Sequence, residues 1–200
     1  MRNVFTLIIS SSLLFSGCFM QSTVPLSPVQ QASYPADLID SWVLDHNKNV
    51  IHRVEKYDKH RLKITQLGKG SDPRGDMVYI GHITYLDGKS FINTQSLSSE
   101  RFEIYQYERP CPDLILIYLP NPELIDRDIK AGRVKGKIVQ DFFTHRIFDE
   151  SREGLINYIR SYKGKLFVPF RYMVRKSKAG NLSKTCQAKI KPLPMDAHKK

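Results

Sequence analysis

No stretch of this chain is apolar for long enough to cross a membrane as a helix. A span needs about 20 apolar residues, whereas the run Val4 to Phe15 supplies twelve, three of them serine. The three cysteines include no Cys-x-x-Cys pair, so thioredoxin-like chemistry and thiolate zinc sites have no support. Six histidines (His46, His52, His60, His82, His145 and His198) contain no His-Glu-x-x-His and no i, i+4 pair. The usual way of aiming two helix ligands at one metal is therefore missing. Ser90, Ser96, Ser98 and Ser99 form no Gly-x-Ser-x-Gly elbow, the signature of one large hydrolase class. Asp126, Asp128, Asp149, Glu150 and Glu153 gather at expected helices, where they suit first turns and solvated faces. The expectation is a protein that is not an enzyme, with no catalytic residue, metal or cofactor.

What is present begins with an address. Arg2, the short apolar run, then Ser16, Gly17 and Cys18 follow the order of a secretory signal peptide. With the cysteine directly after small residues, the stretch resembles the bacterial lipoprotein signal, whose pattern is Leu, a small residue, Gly or Ala, then Cys. The chain matches at Ser16, Gly17 and Cys18 and departs at Phe15, with Leu14 one place early. The resemblance implies that residues 1–17 are removed, that Cys18 carries the acyl chains (palmitate among them), and that the protein is held in an envelope membrane. Residue 19 is Phe rather than Asp. By the sorting rule of that family, this favours the outer membrane, with the domain facing the periplasm.

Acidic residues are the scarce charge, 20 against 31 Lys and Arg. Removing residues 1–17 takes away Arg2 alone, leaving 30 cations and a net charge of +10. Such an excess favours anionic partners. An exported chain rarely meets nucleic acid, so anionic lipid or glycan is the expected target, the alternative being simply a basic solvated surface. With Cys18 lipidated, Cys111 and Cys186 remain as an even pair in an oxidising compartment. A bridge between them would be worth about 4 kcal/mol in the chain-entropy model. Two unpaired thiols are the other reading.

Residues 18–37 are rich in Ser, Gln and Pro without a sustained period, which reads as a tether. Residues 38–176 carry the folded domain, and 177–200 a basic C-terminal tail expected to be disordered except near Cys186. Within the domain, Leu62 and Ile64 alternate with Arg61, Lys63 and Thr65, the pattern of a half-buried strand. Asp87-Gly88 joins two strand-like runs as a hairpin turn. Pro110-Cys111-Pro112 marks another turn, and Pro169 places the last strand at an edge or a bend. Short strands at such intervals predict an antiparallel meander. Two helices follow from Asn121-Pro122-Glu123 and from about Glu150 to Tyr162.

Trp42 near the start, the meander, Pro-Asn-Pro-Glu leading into a helix, Lys135-Gly136-Lys137 and the segment HRIFDESREGLINYIR are together similar to a class of small bacterial lipoproteins. The resemblance covers about Leu38 to Lys176, and it implies a mainly β (α+β) fold, a partial or closed lipocalin-like barrel with a helical insertion. The stricter lipocalin signature, Gly-x-Trp, is not met, because Asp40-Ser41 precedes Trp42. Met77, Tyr79, Ile83 and Tyr85 share one face of their strand, and Val78, Ile80 and Leu86 the other, so burial on both sides is expected. Either the interior is a solid core, or Tyr79, Tyr85, Phe91, Phe102 and Tyr105 line a pocket for a small apolar ligand. His82 and His145 are further residues that could face the barrel interior. The expected function is a membrane-anchored, non-enzymatic binding module; the alternative is a structural or assembly module for an envelope protein partner.

Overall fold

A computed structural model describes residues 20–44, 48–68, 77–140 and 144–190. The signal, Cys18 and the loop 69–76 lie outside the described residues. Eight strands close into an antiparallel barrel: β2 (Asp40–Leu44), β3 (Ile51–Lys56), β4 (Leu62–Leu67), β5 (Met77–Leu86), β6 (Lys89–Ser96), β7 (Phe102–Cys111), β8 (Leu114–Pro120) and β11 (Phe167–Arg175). The ring is completed by β6 on β7 and by β11 on β2, where Met173, Val174 and Arg175 pair with Leu44, Val43 and Trp42. A short β1 (Met20–Ser22) adds to the upper part of β7, and β10 (Thr144–Phe148) and β9 (Gly136–Gln140) continue from it as an open wing. Thus the meander closes, in agreement with the lipocalin-like expectation.

Local chemistry explains the joints. Asp87 and Gly88 both hold positive φ (50° and 74°), the conformation of the tight turn whose twist matches flanking strands. Pro169 sits where β11 has β8 on one side, before its pairing with β2 begins, and the register shifts between Pro169 and Arg171. A missing N–H costs least at such a place. Helix α1 (Pro122–Lys130) is capped by Asn121, whose side chain accepts from the Glu123 and Leu124 amides, and α2 (Arg152–Ser161) by Ser151. Their apolar sides lie on one face of the wing and on the outside of β6, β7 and β11. There Leu155, Tyr158 and Ile159 join Met20, Phe91, Ile104, Phe148 and Phe167 in one core.

A second core lies inside the barrel: Trp42, Leu62, Ile83, Tyr107 and Ile115, from five strands around the ring, meet with Leu38 beneath them. Trp42 Nε1 donates to the Leu38 carbonyl at 2.9 Å. The Arg175 guanidinium stacks 5.0 Å from the indole while pairing with Asp40 and Asp113. This end of the barrel is shut.

Two segments differ from expectation. Residues 20–37 are not a free tether. Met20 and Leu26 are buried, the Leu26 amide donates to Asn93 Oδ1 at 2.8 Å, and the Pro25 carbonyl accepts from Arg152. The segment grips the barrel through single side chains and backbone groups, so it carries no periodic signal. In the tail, residues up to 190 also pack down. The Cys111–Cys186 disulfide is formed (Cα–Cα 5.8 Å), and Ala179, Leu182 and Ile190 cover Val43, Leu114 and Val174 on the outer wall. Helix α3 (Lys184–Gln187) presents Cys186 to that wall.

Candidate functional site: the inner wall of the barrel

Strand register decides which side chains face inward. Trp42 pairs with His52, His52 with Gln66, Leu62 with Gly81, Ile64 with Tyr79, Ile83 with Ile92, Ile92 with Tyr105, Tyr107 with Ile117, Ile117 with Arg171. Since the buried cluster around Trp42 and Ile83 lies on this side, all of these residues line the interior. Tyr79, Tyr85 and Tyr105 are therefore on the inner wall, as the pocket reading required, with Tyr85 largely exposed at the rim. Phe91 and Phe102 are not. Phe91 pairs with Thr84 and Gln106 on the outer face and packs beneath α2. Phe102 lies three residues from Tyr105, an odd step that turns it to the opposite side of a strand. His82 likewise faces outward, its Nε2 3.1 Å from the Ser27 carbonyl under the N-terminal segment. His145 sits on the wing rather than in the barrel.

Away from the shut end, the inner wall changes character. Ile64, Tyr79, Ile92, Glu103, Tyr105, Ile117 and Arg171 are only half-buried, although the ring of strands surrounds them. Tyr105, too, keeps part of its surface within reach of water, so this end of the inner wall stays accessible to solvent.

The polar groups there are unusual. His52 Nε2 and Arg171 Nε are buried without a hydrogen-bond partner among the described residues. Burial pushes the His52 imidazole down to about 4, so it stays neutral at ordinary pH. Tyr105 donates to Glu103 Oε2 at 2.7 Å. Burial raises the Glu103 carboxyl above its ordinary range, against hydrogen bonds from Tyr105 and Gln21 that pull it down. Burial, then the nearby Glu103 charge, raises the Tyr105 phenol. Buried polar groups lacking a protein partner normally hold water or a ligand.

Sequence reasoning picked out the tyrosines but passed over Glu103 and Arg171, and named His52 only as one histidine among six. The available signal was alternation: Glu103 is two residues from Tyr105 and shares its face. No such signal existed for His52 or Arg171, whose inward direction follows from closure of the ring. Among the described residues, no three His, Cys, Asp or Glu side chains gather as a metal site, and no helix is long and apolar enough to cross a membrane. No protein-family model, curated protein or solved structure matches the chain.

Proposed function

We propose that the protein is a lipid-anchored envelope module that holds a small amphipathic ligand inside its barrel. The observation carrying this reading is the pair of buried, partnerless nitrogens, His52 Nε2 and Arg171 Nε, on a tyrosine-lined and only half-buried wall. A ligand with an apolar body and an acceptor group at one end would satisfy the arginine N–H and fill the apolar remainder. The lipoprotein-like signal supplies the location: acyl chains on Cys18, in a bacterial outer membrane facing the periplasm. Cys18 is two residues from Met20, the start of β1. Two residues reach at most about 7 Å, so an acylated Cys18 would hold the domain directly against the headgroups rather than on a leash. The basic excess then draws it toward an anionic surface.

The experiment uses the only tryptophan, Trp42, at the floor of the barrel. A fatty acid brominated along its chain quenches indole fluorescence at short range. Titrating it should quench Trp42 saturably at micromolar concentration, and Arg171→Leu should weaken the effect about tenfold. Absence of saturable quenching removes the ligand-binding reading. Separately, Cys18→Ser should release the protein from membranes; unchanged fractionation removes the anchor.

A further inference from the structure

The open end of the barrel carries a second polar group on the same wall as Arg171. Glu103 lies on β7 two residues from Tyr105 and pairs in register with Gln21 of β1, and cross-strand partners share a face. The inner wall therefore runs on to Gln21, and Glu103, Tyr105 and Gln21 are each half-buried. Two neutral donors hold the carboxylate: the Tyr105 phenol at 2.7 Å and the Gln21 side chain. Only the amide nitrogen of Gln21 can donate to a carboxylate, so its Oε1 is the atom left over. That oxygen is buried and has no hydrogen-bond partner among the described residues.

Elsewhere in this basic chain, carboxylates meet arginines: Asp87 pairs with Arg160, Asp126 with Arg146 and Asp128 with Arg133. Glu103 has no Lys or Arg ion pair among the described residues, and His145, on the wing, is the titratable base that acts on it. Tyr105 and Gln21 give the carboxylate an ordinary structural account. That account does not extend to Gln21 Oε1. An acceptor held next to a carboxylate calls for a donor, and the negative charge beside it calls for a cation. A primary ammonium supplies both, with three N–H groups and one positive charge. Arg171 Nε, itself a donor, calls for the opposite. We infer, resting on the reading of the barrel as a ligand site, that its ligand is bipolar: an acceptor group toward Arg171, and a primary ammonium at the mouth between the Glu103 carboxylate and Gln21 Oε1. Register sets the length. Arg171 is level with Ile117, and Ile117 with Tyr107. Glu103 stands four residues further along β7, about 14 Å at about 3.4 Å per residue. That is roughly the reach of an extended chain of a dozen carbons.

The test is calorimetric titration of ω-aminododecanoate and of dodecanoate into the full chain in phosphatidylcholine nanodiscs, with empty nanodiscs subtracted. Both should bind saturably, the amino acid about tenfold tighter, because a charge-assisted hydrogen bond separates the two probes. Glu103→Gln should remove that preference and leave dodecanoate binding unchanged, which also shows that the variant is folded. Gln21→Leu should reduce the preference in the same way, and it carries the comparison if Glu103→Gln does not fold. A preference that survives in Glu103→Gln would overturn the site. Equal binding of the two probes by the native chain would overturn the inference while leaving a ligand in the barrel. If ω-hydroxydodecanoate bound as tightly as the amino acid, the ammonium would have no role and the inference would fail. Absence of binding by either probe would remove the barrel reading itself, and this inference with it.

Discussion

Replacing His52 with Leu should flatten the acid side of the stability curve. In the unfolded chain this imidazole titrates near its ordinary 6.5, whereas in the barrel burial pushes it down to about 4. Between those values the unfolded state binds the proton and the folded state does not, so stability falls as pH drops through 6.5 toward 4. The whole shift is worth about 3 kcal/mol, and by pH 5 about 2 kcal/mol is already lost. His82 is also lowered, by burial foremost, and adds in the same direction. Glu103, raised by burial, works the opposite way. The difference between the native chain and His52→Leu isolates the His52 contribution. Urea melts at pH 7 and pH 5 give the measurement. With an m-value of about 2 kcal/mol/M, the native midpoint should fall about 1 M further than that of His52→Leu. At pH 7 the variant should be as stable as the native chain or up to about 1 kcal/mol more so, because it removes a buried nitrogen without a partner. Equal acid sensitivity in both proteins, or an NMR titration placing His52 near 6.5, would refute the argument.

Two further outcomes test the segments that expectation had left loose. Asn93 is fully buried, its Oδ1 accepting from the Leu26 amide and its Nδ2 donating to Thr84 Oγ1 at 2.9 Å. Asn93→Ala should cost about 2–3 kcal/mol and raise amide hydrogen exchange across residues 20–32; unaltered protection there would show that the segment is held by other contacts. Cys186→Ser should cost about 4 kcal/mol, for a bridge closing a sequence separation of 75, and should expose residues 179–190 to protease. Two reactive thiols in the denatured, unreduced native chain would contradict the bridge directly.

Much of the wall could be read before the fold was known. Asp87-Gly88 as a turn, Asn121 as the opening of one helix, a second helix from about Glu150, Pro169 at an edge or a bend and Cys111 with Cys186 as a pair could all be read locally, and the structure has the turn, both helices, the bend and the bridge. The candidate site was legible by halves. Tyr79 and Tyr105 point inward; Phe91 and Phe102, aromatic and on neighbouring strands, point the other way. Hydrophobicity could not separate them, since helix α2 and the N-terminal segment bury the outer face as completely as the barrel buries the inner one.

Period-two alternation sorts the side chains of a strand into two sets, and this chain carries that sorting in its own residues. Which set becomes the concave side is decided by closure, when Arg175 and Met173 on the last barrel strand meet Trp42 and Leu44 on the first. Those pairings join opposite ends of the domain, beyond the reach of any local pattern. Closure also leaves His52 and Arg171 with buried nitrogens that meet no partner among the described residues, and it provides the outer wall to which residues 20–37 attach. Composition and spacing account for the pieces and their two faces. The inside and its unpaired groups exist only once the ring is shut.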